Sequence, residues 1–197
     1  MSSVKIAGDT SGLITLAAPA AAGTNTITMP ASTGTMALTS DVPGAAKISQ
    51  ILSTTKTDTF STTSFPTFVD CTGLTVTITP AAASSKIYVM LSISGGGMSG
   101  FRYQLVRDST AIAIGTGSIG SRTAASGAGS NRNYDEVENP CANFLDSPST
   151  TSATTYKVQV STGATGTDSK INATRNDPDS TTGIRTASTI TVMEVTA

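Results

Sequence analysis

The polar stretch from residue 115 to residue 140 holds side chains suited to binding a carbohydrate. A tyrosine ring can stack on a sugar, while arginine and asparagine side chains can bond to its hydroxyls. Five residues of the stretch offer these groups: Arg122, Asn131, Arg132, Asn133 and Tyr134. A loop of this length inside a compact β domain is usually functional or disordered. The alternatives are therefore a ligand-binding loop and a plain mobile surface loop.

Two groups of carboxylates could do other chemistry. Asp135 and Glu138 are candidates for the acid and base of a glycan-cleaving site, although nothing in the sequence shows that they converge. Asp177 and Asp179 could ligate calcium through hard oxygen atoms, but they lack the further ligands of a calcium loop, so an ordinary turn is favoured. We predict no catalytic residue, no metal site and no cofactor.

The residues that most often activate nucleophiles or bind metals are scarce. Histidine is absent, which removes the commonest general base and metal ligand. Cys71 and Cys141 are too few for a four-thiolate zinc site; they could form a disulfide, but we interpret them as two small, partly buried thiols. Asn172-Ala173-Thr174 matches the glycosylation acceptor pattern, which we interpret as a chance match. Gly95-Gly96-Gly97 lacks the lysine that follows the glycines of a P-loop, so we interpret it as a flexible turn.

Composition excludes two classes of partner. The 12 basic and 13 acidic residues give a formal net charge of -1, so there is no basic excess to bind nucleic acid. No apolar run approaches the roughly 18–20 residues that a membrane helix needs, and the first residues lack the apolar core of a signal peptide. We expect a soluble protein, synthesised in a cytoplasm, without membrane insertion.

An internal repeat occupies the first 41 residues. Gly12, Gly23 and Gly34 lie eleven residues apart, and each is followed by a short, Thr-rich stretch that favours a strand. The larger apolar side chains are too few to offset the entropy of ordering the segment; they are Leu13, Ile14, Leu16, Ile27, Met29, Met36 and Leu38. Residues 1–41 are therefore predicted to gain their core from sister chains or from a docking surface.

Residues 42–197 show the pattern of an all-β domain. Short apolar runs alternate with polar residues between Gly- and Pro-rich turns, and we count eight or nine strands. Ile48, Ile51 and Leu52 also fit one helical face, but the threonines that follow favour a strand there. We predict an antiparallel β-sandwich or jelly roll. The predicted strands include Leu74 to Thr79, Lys86 to Ile93, Phe101 to Arg107, Thr110 to Ile114, Tyr156 to Val160 and Thr189 to Val195, with a weaker strand at Lys170 to Thr174.

The chain resembles virion fibre proteins of tailed phages, especially those of cyanobacteria and marine bacteria. Most of the chain takes part in the resemblance, through structural motifs that carry no chemistry. The motifs are Thr10 to Pro19, Ala22 to Thr35, Thr54 to Phe60, Phe144 to Pro148, Thr154 to Gln159 and Ser188 to Glu194. The resemblance implies a homotrimeric fibre with a β-rich tip.

Three functions follow as hypotheses. The preferred one is a homotrimeric fibre whose N-terminal segment attaches to tail, baseplate or capsid proteins and whose head contacts a host surface glycan. The second is a capsid decoration or connecting protein that binds no receptor. The third is a spike that degrades polysaccharide.

Overall fold

A computed structural model describes residues 3–7, 13–17, 47–117, 119–130 and 136–196. The described residues form strands and turns without any helix, and every pair of strands is antiparallel. The prediction of an all-β protein is therefore confirmed. The chain divides into two compact units, Met1–Val42 and Pro43–Ala197.

The N-terminal unit contains one pair of strands, β1 (Ser3–Ala7) and β2 (Leu13–Ala17), among its described residues. They are antiparallel, and their register places Ser3 opposite Ala17 and Ala7 opposite Leu13. Leu13, Ile14 and Leu16 lie in β2. The repeat's role as a stalk or docking arm stays a prediction, because its other predicted contact residues lie outside the described residues: Ile27, Met29, Met36 and Leu38.

The described residues of the second unit form twelve strands. In chain order they are β3 (Lys47–Lys56), β4 (Phe60–Thr62), β5 (Val69–Ile78), β6 (Lys86–Ser92), β7 (Gly95–Gly97), β8 (Phe101–Arg107), β9 (Thr110–Ile112), β10 (Gly127–Gly129), β11 (Cys141–Asp146), β12 (Thr154–Thr162), β13 (Ser169–Ile171) and β14 (Ser188–Thr196).

Two larger sheets enclose the core of this unit. The first has the strand order β11-β6-β14-β3, and the second has the order β10-β8-β12-β5 with β9 paired to β8. Alternate residues of both sheets point inward, as the apolar alternation predicts. Leu74 on β5, Val89 on β6, Tyr103 on β8 and Val192 on β14 belong to one buried cluster. Two sheets sharing one core are consistent with a β-sandwich.

A third, smaller sheet has the order β4-β13-β7. Its Gly95–Gly97 strand corrects the interpretation of these glycines as a flexible turn, since all three are buried and Gly95 and Gly97 pair with β13. A Cβ atom at Gly95 would lie 2.4 Å from the carbonyl oxygen of Lys170. Glycine is required here because the neighbouring backbone comes too close for any side chain.

The strand β3 contains an irregularity that explains its helix-like spacing. Gln50 pairs with Glu194 and Ile48 pairs with Val195, so Ser49 is an extra residue without a partner. Such a bulge places residues three apart on the same face of a sheet. Ile48 and Ile51 therefore share one face of a strand, and the preference for a strand over a helix is confirmed.

Candidate binding surface beside strand β10

The polar stretch from 115 to 140 is not one continuous loop. It contains β10, which pairs with β8 so that Gly127 lies opposite Tyr103 and Gly129 lies opposite Phe101. Before β10 the backbone folds back on itself, since the amide of Gly115 donates to the carbonyl of Ala125 at 3.2 Å. The strand divides the predicted loop into a part before it, described except at residue 118, and a part after it, described at Ser130 and from Glu136 onward.

Aromatic rings explain why β10 consists of small residues. A Cβ atom at Gly127 would lie 2.3 Å from the hydroxyl oxygen of Tyr103, and one at Gly129 would lie 2.5 Å from the Phe101 ring. Both rings are buried in a close-packed core, so moving either ring aside would cost free energy. The backbone of Gly127 and Gly129 therefore packs directly against the two rings. The absence of side chains at these glycines leaves open space at the edge of the sheet.

An open cleft of about 380 Å³ lies at this edge. Its lining combines small side chains, one isoleucine, two threonine hydroxyls and one guanidinium group. The lining residues are Gly115, Thr116, Ile119, Arg122, Thr123, Ala124, Ala125, Gly127 and Ala128. The described lining contains no carboxylate, so the chemistry that it offers is hydrogen bonding to hydroxyl or anionic groups.

Two arginines set the electrostatics of the cleft. Arg122 is exposed, and its backbone amide donates to the carbonyl of Ile119 at 3.0 Å. Arg102 is half-buried behind the cleft, where its guanidinium donates to the Thr123 hydroxyl at 3.2 Å and to the carbonyl of Gly163 at 2.8 Å. It also lies 5.3 Å from the centre of the Phe65 ring. Arg102 thus holds Thr123 in place, whereas the exposed Arg122 guanidinium donates to the Ile119 carbonyl at 3.4 Å.

The structure places one of the five predicted ligand-binding residues at this cleft, namely Arg122. Asn131, Arg132, Asn133 and Tyr134 lie outside the described residues, so their part in ligand binding stays a prediction.

The candidate carboxylates have partners within the fold. The Glu138 carboxylate accepts a hydrogen bond of 2.6 Å from the Ser130 amide, and its backbone bridges to Gly95. Asp135 lies outside the described residues. Asp177 forms an ion pair with Arg185 beside an open cleft of about 300 Å³. The described residues contain no group of three or more acidic or cysteine side chains placed to hold a metal ion.

A buried cluster around Asp146 was missed by the sequence analysis. Both Asp146 carboxylate oxygens accept hydrogen bonds from Arg107, at 2.8 and 2.9 Å, and one also accepts from the Tyr156 hydroxyl at 2.6 Å. Burial, followed by the bond to this carboxylate, raises the pKa of Tyr156 well above its ordinary value. The sequence does indicate one member of this cluster, because Arg107 continues the inward-facing alternation of Phe101, Tyr103 and Leu105.

A second buried carboxylate, Glu194, continues the inward face of β14. It accepts hydrogen bonds from the Gln50 side chain at 2.6 Å and from the Ala81 amide at 2.7 Å. Burial opposes its ionisation, but the hydrogen bonds outweigh burial and lower its pKa to about 2. Glu194 therefore remains an anion that joins β14 to β3 and to the turn after β5.

Asn172 is the centre of a third buried network. Its side-chain amide donates to the carbonyls of Lys56 at 2.8 Å and Asp58 at 2.9 Å, and its side-chain oxygen accepts from the Ser188 hydroxyl at 2.6 Å. Its backbone has a φ of 63°, which asparagine tolerates better than most residues. Both amide hydrogens are committed and the residue is fully buried, which supports the interpretation of its acceptor pattern as chance.

The two cysteines are both free thiols, so the alternative of a disulfide is wrong. Cys71 is buried, whereas Cys141 is exposed, which corrects the expectation that both are partly buried. Burial raises the pKa of Cys71 to about 12, against a smaller opposing effect of the nearby Lys56 ammonium. The Cys71 thiol is therefore unreactive in the folded protein.

Comparison with other proteins adds no assignment to this geometry. None of the described segments is a helix with the length and apolar character needed to cross a membrane. No protein-family model matches the chain, and no curated protein matches it at a significant level.

Proposed function

We propose that the protein is a noncatalytic structural protein of a tailed-phage virion. It forms a homotrimeric fibre, in which residues 1–41 attach to tail, baseplate or capsid proteins. Residues 42–197 form a jelly-roll-like head that contacts the host cell surface. The protein is made in the cytoplasm of the host bacterium and resides in the virion.

The observation that carries this proposal is the contrast between the two parts of the chain. The head encloses its own core between two sheets, with Leu74, Ile87, Tyr103 and Tyr156 all 1% exposed or less. The N-terminal repeat has few large apolar side chains for its length. A head that folds around its own core, preceded by a segment that needs partners to form one, is the organisation expected of a module attached to a larger assembly. The resemblance of both parts to phage fibre proteins supports the same conclusion.

The cleft beside β10 is the surface that we assign to the host glycan. Arg122 and the hydroxyls of Thr116 and Thr123 can bond to sugar hydroxyls or to an acidic sugar. The cleft is open and has no described carboxylate in its lining, which suits binding better than glycan hydrolysis.

Imaging of gold-labelled chain on intact particles tests the virion assignment. Label at the distal end of a tail or baseplate fibre is expected. Label spread over the capsid lattice would instead favour a decoration protein, and absence of label would overturn the virion assignment. Deleting residues 1–41 is expected to abolish incorporation.

A cell-binding assay tests the receptor assignment separately. Fluorescent full-length chain is expected to bind host cells saturably, and Arg122→Ala to weaken that binding by about tenfold, because a charge-assisted hydrogen bond contributes roughly 1.5 kcal/mol. Arg175→Ala is the matched control, since this arginine does not line the cleft. Equal binding by the two variants would rule out the cleft as the contact site.

A further inference from the structure

The outward faces of the two larger sheets differ in polarity. On β8, β12 and β5 the outward side chains form a polar network. Gln104 donates to Gln159 at 2.7 Å, Gln159 donates to Asp70 at 2.7 Å, and Lys157 forms an ion pair with Asp70 at 2.8 Å. This face satisfies its polar groups by itself and in water.

The outward face of β11, β6, β14 and β3 carries an apolar row instead. Leu145 pairs with Tyr88, Tyr88 pairs with Met193, and Met193 pairs with Ile51. Directly paired side chains on one face lie about 4.5–5.5 Å apart, so the row is continuous across all four strands. Met90 lies beside the row, two residues after Tyr88 on the same face of β6.

The bulge in β3 extends this surface by a further pair, Ile48 and Val195. Four of the side chains are substantially exposed: Ile48 and Ile51 at 56%, Leu145 at 46% and Met90 at 43%. We define the apolar face as Ile48, Ile51, Tyr88, Met90, Leu145, Met193 and Val195. Lys86, which pairs with Val195, is the one charged side chain among the described residues in the rows that the face spans.

We propose that sister copies of this chain cover the apolar face, so that the apolar faces of the three copies of the proposed homotrimer meet around its threefold axis. The inference rests on the homo-oligomer of the proposed function, but not on virion attachment or host contact. An almost uncharged surface offers little to a charged protein or a polyhydroxylated glycan, whereas it is complementary to an identical uncharged surface. The same face is present on every copy, so three copies can bring their apolar faces together around one axis.

The size of the face fits this partner. The apolar face spans four strands about 4.8 Å apart and about five residues along each strand, or roughly 17 Å, so it presents roughly 330 Å². The faces of the three copies would together enclose about 1,000 Å² of mostly apolar surface. An exposed apolar patch of a few hundred Å² commonly marks an interaction site.

Methionine oxidation provides a direct test on the full-length chain. Met90 lies on the apolar face, whereas Met98 lies outside it and is 54% exposed, so Met98 is an internal control. Sedimentation first defines the concentrations at which the chain is assembled and dissociated. Hydroxyl-radical footprinting with mass spectrometry then measures both methionines in each state. In the assembled state Met90 is expected to oxidise about fivefold or more slowly than Met98, and this protection is expected to disappear on dissociation.

A charge on the apolar face gives the second arm of the test. Ile51→Lys is expected either to dissociate the oligomer or to make Met90 as reactive as Met98, because the ammonium would be buried between copies. Thr77→Lys is the control on the outward face of the other sheet, where Thr77 pairs with Thr155. Circular dichroism checks that both variants fold, and Leu145→Lys replaces Ile51→Lys if the latter does not.

Three results would overturn the proposal. The first is an assembled chain in which Met90 oxidises as fast as Met98. The second is protection of Met90 that persists in the dissociated monomer, which would identify a segment of the same chain as the occupant. The third is an Ile51→Lys variant that remains assembled with Met90 still protected. A chain that assembles through the apolar face but never joins a virion would refute the proposed function and leave this inference intact.

Discussion

Replacing Asn172 by alanine is expected to lower the free energy of unfolding by about 3–5 kcal/mol. The substitution removes the two hydrogen bonds to the carbonyls of Lys56 and Asp58 and the one from the Ser188 hydroxyl. Each bond contributes about 1 kcal/mol, with a further cost because buried partners are left unsatisfied. Alanine also tolerates the φ of 63° less well than asparagine, at about 1 kcal/mol.

Two companion variants separate these contributions. Asn172→Gly loses the same hydrogen bonds but accepts the backbone conformation, so it is expected to be about 1 kcal/mol more stable than the alanine variant. Asn172→Asp keeps the shape but points a carboxylate at two carbonyl oxygens, so it is expected to be no more stable than the alanine variant. Asn176→Ala is the control, because Asn176 is exposed and should change stability by less than about 0.5 kcal/mol.

Urea unfolding of the full-length chain, followed by far-ultraviolet circular dichroism at one fixed protein concentration, measures these differences. A loss below about 1 kcal/mol for Asn172→Ala would refute the reasoning, as it would mean that the network contributes little. Equal stability of Asn172→Asp and the unmodified chain would do so as well, because the donor role of the amide would then be irrelevant.

Three other perturbations have defined outcomes. Because the pKa of Glu194 is lowered to about 2, its ionised carboxylate stabilises the folded protein fully above the ordinary pKa of 4.5, and this stabilisation is lost as pH falls towards 2. Glu194→Gln should therefore flatten the plot of melting temperature against pH between these values. With a thiol reagent at about pH 8, Cys141 should react in the folded protein and Cys71 only after denaturation. Gly127→Ala should reduce the free energy of unfolding by about 1–3 kcal/mol through its clash with Tyr103, as measured by urea unfolding, whereas Ala128→Ser should be neutral.

Strands with regular alternation could be predicted from the sequence. Leu74, Val76 and Ile78 alternate with exposed threonines in β5, and all three are buried. The strand β11 was missed because its outward positions include Cys141 and Leu145, so the apolar side chains do not mark one face. Its outward leucine belongs to the apolar face, and alternation fails there because both sides of the strand are apolar.

Strands made of glycine could not be predicted, since glycine has low strand propensity. Gly95–Gly97 and Gly127–Gly129 form strands because neighbouring groups approach too closely for side chains. That requirement comes from contacts between distant parts of the chain, which a local pattern does not contain. At the candidate site, residue type alone identified Arg122, whereas the contribution of Arg102 depends on a contact with Gly163 that only the fold creates.

The position of β14 within its sheet bears on how the protein is made. This strand lies between β6 and β3, and it pairs with β3 from Ser188 opposite Lys56 to Thr196 opposite Lys47. Among the described strands, β3 therefore has no neighbour in its sheet until the ribosome has synthesised the chain through residue 196. A nascent chain therefore exposes β3, with Ile48 and Ile51, until β14 has been synthesised.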